Sequence, residues 1–171
     1  MIQIGAPAAT IDTPIEHLMA CHRRIEQRLD TLVNAGGHLG ADSATAIEAI
    51  HKCCHFLDTS GAMHTADEEE SFFPRLRPLL SVSETEFVDS LEAEHREADS
   101  IYAELKRIVA EIGRELTADS ARQFTGCAQL LRSLYRKHIQ AEDQILTALA
   151  KRSLGAAEIY QIAREMRARR S

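Results

Sequence analysis

The stretch His64-Thr65-Ala66-Asp67-Glu68-Glu69-Glu70-Ser71-Phe72-Phe73-Pro74 sets a histidine and a glutamate four positions apart in a helix-forming run. On a helix such residues lie one turn apart on the same face, so an imidazole nitrogen and a carboxylate meet at one point. His138 and Glu142 repeat this spacing late in the chain, and three more histidines have a carboxylate four residues on: His22/Glu26, His38/Asp42 and His95/Asp99. With 26 acidic residues in 171 positions, chance supplies about one such pair. A single pair is weak, because helix surfaces carry His–Glu pairs commonly. The set is not.

The larger spacing organises the set. His22 precedes His64 by 42 residues and His95 precedes His138 by 43. The chain therefore reads as two similar helical hairpins, each with one histidine on its first helix and His-x-x-x-Glu on its second. Folded together, they bring four histidines and two glutamates to a common axis. Leu18 and Leu91, each four residues before the first histidine of its half, support the inward assignment.

Helix punctuation agrees. Thr13-Pro14-Ile15-Glu16 combines a capping box with proline at the first helical position. The apolar series Leu18, Ile25, Leu29, Leu32 then runs to a stop expected at Asn34-Ala35-Gly36-Gly37. A second helix should run from Asp42 or Ser43 to near Pro74, weakened or bent at Gly61, with Pro78 keeping the next stretch open. Ser83-Glu84-Thr85-Glu86 reads as a second capping box, opening a third helix that ends near Gly113. A fourth spans about Asp119 to Ala150, and a fifth, about Leu154 to Arg169, has Ile159, Ile162 and Met166 on one side. The expectation is an all-α fold, an antiparallel up-down four-helix bundle with a short fifth C-terminal helix. Residues 12–150 would form the bundle, and 151–171 a helix packed on it or on a partner.

Composition narrows the function. The chain is 44% apolar and 27% charged with no tryptophan, an ordinary globular profile. A net charge of −6 argues against nucleic acid, which needs clustered Lys and Arg; the basic tail from Arg164 to Arg170 is too small for that task. No apolar run approaches the roughly 18 residues of a membrane span, and Met1–Ala9 lacks a basic start followed by a long apolar stretch. Cys21, Cys53, Cys54 and Cys127 contain no CxxC, and adjacent Cys53 and Cys54 do not readily bridge. They read as reduced core thiols of a cytoplasmic protein. Elbow motifs for triad nucleophiles and Gly-rich phosphate loops are absent, as are the Glu-x-x-His ligands of ferritin-type bundles.

Two carboxylates among four imidazoles in an apolar bundle make sense around cations, since buried charges are costly unless paired or metal-bound. Mixed nitrogen and oxygen donors suit iron, manganese or zinc better than calcium or magnesium. Two glutamates shared by four histidines suggest a dinuclear site with coordination positions left for a small molecule. Structural zinc fits less well, because it prefers four ligands at one ion.

The segments Ala20-Cys21-His22-Arg23-Arg24-Ile25-Glu26, His64 to Pro74, Glu94-His95 and His138-Ile139-Gln140-Ala141-Glu142-Asp143 resemble a hemerythrin-like (HHE cation-binding) domain over about residues 12 to 150. The resemblance implies His22, His64, His95 and His138 as terminal iron ligands, with Glu68 and Glu142 bridging. It implies two non-haem iron ions joined by oxo and carboxylate bridges. The ligand count resembles the di-iron repair-of-iron-centres branch more than animal hemerythrins, which have five histidines. Where an oxygen carrier has a second histidine on its third helix, this chain has Asp99, a candidate seventh ligand. The function implied is binding, sensing or handling of dioxygen, nitric oxide or peroxide, or storage and delivery of iron. The alternative is an enzyme with peroxidase or nitric-oxide-reducing activity.

The remaining polar residues read as ordinary. His51, His55 and His17 face away from the ligand side, and His38 falls in a loop. Glu26 is a surface pair or a hydrogen-bond partner of His22. Asp67, Glu69 and Glu70 form a solvated face, Phe72 and Phe73 are core, and Tyr102 is packing.

Overall fold

The computed structural model describes residues 10–40 and 42–171, so the reading of Met1–Ala9 lies outside the described residues. Among those residues the chain is helical with no strands. Helix α1 is Pro14–His38. Helix α2 covers residues 43–76 as Ser43–Phe56, Ala62–Asp67 and Phe73–Leu76, joined through π-helical turns at Leu57–Gly61 and Glu68–Phe72. Helix α3 is Val82–Ile112. Helix α4 covers residues 118–153, with Ala118–Ala141 and Thr147–Ser153 on either side of a π turn at Glu142–Leu146. Helix α5 is Ala156–Ala168. This is the antiparallel bundle with a short fifth helix that the periodicity predicts. No described helix is long and apolar enough to cross a membrane.

Several local expectations are corrected. The box at Thr13 does not form: its hydroxyl donates to the Thr10 carbonyl at 3.1 Å and makes no cap bond. The box that opens α3 is Ser81 with Glu84, whose carboxylate accepts from the Ser81 N–H at 2.9 Å; the expected pairing two residues later is out of register with the true N-cap. Helix α1 does not stop at Gly36-Gly37. It continues to His38, because Gly36 is a packing residue: a Cβ there would meet Thr125 Oγ1 at 2.8 Å and Phe124 Cδ1 at 3.1 Å. The helical path of α2 also passes Pro74. A π turn ends just before it, so the α-helical register is already broken where proline removes a donor. The Arg75 guanidinium donates to the Ser71 carbonyl at 3.0 Å.

Two apolar layers fill the bundle. One holds Ile25, Leu29, Leu32, Ile50, Leu105, Phe124 and Leu131; the other holds Leu18, Phe72, Phe73, Leu91, Leu146, Ile162 and Met166. Each fully buried Leu or Phe contributes about 1.5–3 kcal/mol. The layers meet at the histidines: on α1, Leu18 belongs to one layer and Ile25 to the other, with His22 between. On α3, Leu91 and Ala98 flank His95 in the same way. The polar residues thus form a slice across the bundle, sealed above and below.

Helix α5 closes one end. Ile162 and Met166 sit in the Leu18–Phe72 layer, while its far end is tied by charge. Arg169 Nη1 and Arg170 Nη2 reach Asp67 at 2.9 and 2.5 Å, and Arg75 holds Glu165 with two hydrogen bonds of 2.6 and 2.9 Å.

Candidate metal centre

His22 projects from α1, His64 and Glu68 from α2, His95 from α3, and His138 and Glu142 from α4. All six are buried, none more than 5% exposed. The turn and hairpin spacings predict that they meet, and the fold brings them together. Donor atoms of His22, His64, Glu68 and Glu142 lie within 4.8 Å of one another, as do those of Glu68, His95, His138 and Glu142. The two groups share both glutamates.

The sharing is resolved to single oxygens. Glu68 Oε1 lies 3.6 Å from His22 Nε2 and 3.3 Å from His64 Nε2, while its Oε2 lies 3.5 Å from His95 Nε2. Glu142 turns Oε2 to His22 at 3.1 Å and Oε1 to His138 at 3.2 Å. Each carboxylate therefore offers one oxygen to each histidine pair. The rings of each pair are close, with centroids 4.8 Å apart for His22 and His64 and 4.6 Å for His95 and His138.

These approaches do not complete the hydrogen bonding. Both oxygens of Glu68, both of Glu142, His22 Nε2 and His64 Nδ1 are buried without a hydrogen-bond partner. Six orphaned polar atoms in one apolar slice are costly. Cations lying between carboxylate oxygens and imidazole nitrogens remove most of that cost, so the donor set fits metal.

Electrostatics shows the same tension. Burial and the neighbouring Glu142 push Glu68 up from the usual carboxylate range. Burial acts the same way on Glu142, but His138 and His22 outweigh it and hold Glu142 below that range. Burial lowers His22 and His138, yet the facing glutamates prevail, moving them up to about 11 and about 9. His64 goes well below its ordinary value through burial and the neighbouring imidazoles.

Three more carboxylates fix the imidazoles from behind, and the sequence reading assigned none of them. His22 Nδ1 bonds Asp143 Oδ1, His95 Nδ1 bonds Glu69 Oε1 and His138 Nδ1 bonds Glu94 Oε2, each at 2.8 Å. Such a bond sets the tautomer and aims Nε2 inward. Asp143 takes the role expected of Glu26, which makes no hydrogen bond to His22. Glu69 is therefore only part-exposed, its carboxylate held by His95. Asp67 is buried under Arg169 and Arg170; Glu70 alone of that run is exposed. A signal was available, since each of the three carboxylates adjoins one of the six central residues in sequence.

Asp99 stands outside both groups and is exposed. It lines a cavity of about 210 Å³ with Thr65, Tyr102, Lys106 and Tyr135. The Tyr135 ring meets His138 edge-on, with centroids 6.3 Å apart. Tyr102 lines this cavity and donates to the Cys54 carbonyl at 2.9 Å. His51 and His55 are exposed as expected, and His38 ends α1 instead of lying in a loop. The four cysteines are free, three of them buried.

A helical bundle that encloses an internal slice of histidines and glutamates is the architecture of a metal-binding bundle protein. The family model of the hemerythrin HHE cation binding domain matches residues 13–150, and the chain belongs to that family. No curated protein matches the chain.

Proposed function

We propose that this chain is a non-haem di-iron protein that binds, senses or handles a small ligand such as dioxygen, nitric oxide or peroxide, or stores and delivers iron. His22 and His64 would hold one ion, His95 and His138 the other, with Glu68 and Glu142 joining them. The observation that carries this reading is the division of each carboxylate, one oxygen facing each histidine pair. A single ion would not call for two carboxylates each split between separate imidazole pairs.

Bound iron supplies a redox-capable Lewis acid. The chain supplies the rest. Asp143, Glu69 and Glu94 orient three rings through Nδ1, and the apolar layers on either side keep bulk water away. Asp99, exposed and apart from both groups, is left out of the ligand set.

The test is metal analysis of protein purified without added metal. The expected result is about two irons per chain with a near-ultraviolet band of a bridged pair. His64→Ala should lose at least one iron; a variant that keeps both counts against this ligand set. Mixing the reduced protein with oxygen then separates a stable adduct, as in a carrier or sensor, from rapid turnover, as in an enzyme.

A further inference from the structure

The carboxylates behind the imidazoles form a chain that runs around the bundle and stops one link short. Glu69 on α2 reaches His95 on α3, Glu94 on α3 reaches His138 on α4, and Asp143 on α4 reaches His22 on α1. The remaining link would run from α1 to His64 on α2. It is missing: His64 Nδ1 is buried and has no hydrogen-bond partner among the described residues.

The two-hairpin repeat explains the gap. Glu69 and Asp143 each follow the glutamate of their own half, and Glu94 precedes the first histidine of the second half. The residue in that position of the first half, before His22, is Cys21. A thiol stands where the second half has a carboxylate, and Cys21 Sγ accepts from Arg24 at 2.9 Å.

A second difference acts in the same direction. Asp143 is shared, because its other oxygen takes a hydrogen bond from Arg23 at 2.7 Å. A carboxylate already neutralised by a guanidinium draws less on an imidazole N–H. Glu69 and Glu94 pair with no Lys or Arg among the described residues. The His95/His138 pair is thus backed by two unshared carboxylates, and the His22/His64 pair by one shared carboxylate.

We propose that the two metal positions are unequal by construction. The His95/His138 position binds first and tightly, and the His22/His64 position is the exchangeable one, with Glu69 and Glu94 as the positioning residues that set the difference. This rests on the di-iron reading and refines its storage-and-delivery branch. Carboxylates that back ligating histidines typically change metal affinity about 10- to 100-fold, so the two association constants should differ by at least about tenfold.

The experiment is an anaerobic titration of metal-free full-length protein with ferrous iron against a chromophoric chelator, giving both stepwise constants. Two constants separated by about tenfold or more are expected. His64→Ala should keep the tighter constant and lose the weaker. Glu69→Gln and Glu94→Gln should lower the tighter constant about 10- to 100-fold and bring the two steps together. These isosteric changes at part-exposed positions should leave the helical circular dichroism and metal-free melting as they are, which separates positioning from folding. Two equal constants in the native chain, a tight constant that ignores both glutamine variants, or a tight step lost in His64→Ala would overturn the inference. Absence of any iron binding would instead overturn the di-iron reading beneath it.

Discussion

Glu68 and Glu142 each open a π-helical turn, Glu68–Phe72 in α2 and Glu142–Leu146 in α4, and each begins its turn four residues after a central histidine. A π turn inserts one residue into the α register and is found often at functional sites. Here the widened turn starts where the carboxylate leaves the helix, and both carboxylates come to lie between the two histidine pairs. Two glutamates in related halves of the chain share one backbone device.

The sharing makes the glutamates differ from the histidines as mutational targets. Each imidazole faces one end of the slice, whereas each carboxylate faces both. Glu142→Gln should therefore lose both irons, while His64→Ala loses one and retains the other. Metal analysis beside far-ultraviolet circular dichroism checks this. A Glu142→Gln protein that keeps one firmly held iron would show that the carboxylate does not join the two positions.

The tie between Asp67 and the end of α5 should be a major contributor to stability. Asp67 is fully buried and meets Arg169 and Arg170, each about four-fifths buried, within hydrogen-bond distance. Removing both arginines leaves a buried carboxylate without a partner, which typically costs about 3–5 kcal/mol. For a chain of this size that lowers the melting temperature by roughly 10 °C. Glu70→Ala, which removes an exposed partner of Arg169, should change it by about 1 °C or less. Thermal melts of Arg169→Ala/Arg170→Ala and Glu70→Ala read both outcomes.

How far the sequence was legible depends on the range of the signal. The six central residues carry a turn-by-turn spacing within a helix and a repeat between hairpins, and both survive without coordinates. Asp143, Glu69 and Glu94 carried only the weaker signal of adjacency to a central residue, which does not show that each acts on a histidine of a different helix. A residue beside an inward-facing one is rotated about 100° around the helix, toward the neighbouring helix, and which helix neighbours which is a tertiary fact. The buried Asp67 was hidden for the same reason. Its partners lie 102 and 103 positions away in the chain. Gly36-Gly37 misled because glycine marks both helix ends and close helix contacts, and only packing tells them apart.

That pair of glycines gives a controlled comparison. Gly36 is buried against Phe124, a core ring with no exposure, and a Cβ would come within 3.1 Å of it. Thr125 cannot easily yield either, since its hydroxyl bonds the Ala121 carbonyl at 2.9 Å. A Cβ on Gly37 meets nothing within 4 Å. Both sit in the same helix, so alanine gains about 1 kcal/mol of helix propensity at each. At Gly36 overpacking of about 1–3 kcal/mol outweighs the gain. Gly37→Ala should therefore raise the denaturation midpoint and Gly36→Ala lower it. Equal shifts in urea titrations would mean that the α1–α4 contact at Gly36 is looser than described.

The protonation of the slice makes metal loading a proton-releasing reaction with a definite pH signature. In the metal-free protein the facing glutamates overcome burial and raise His22 to about 11 and His138 to about 9, from an ordinary 6.5. An imidazole raised on folding contributes stability that is complete below about 6.5 and is lost as pH climbs through the folded value. Glu142, held low by His138 and His22, contributes stability present above the ordinary carboxylate range and lost as pH falls below it. Glu68, pushed up by burial and by Glu142, works the other way and removes stability as pH rises out of that range. Together these place the maximum of the metal-free protein in mildly acidic solution, with a decline that sets in above about pH 6.5. It is steepest up to about pH 9, while the folded His22 and His138 both keep protons that the unfolded chain has lost, and eases beyond it once His138 is neutral. Metal reverses the requirement, because an imidazole must give up its inward proton to bind. Loading at neutral pH should release about two to three protons per chain, one each from His22 and His138 and part of a third from Glu68. Indicator measurements in weak buffer would detect them, and metal-free melts from pH 6 to 10 should fall while those of the loaded protein stay nearly level. Loading with no proton release would mean that both imidazoles are already neutral, and the charge pairing described for the slice would be wrong.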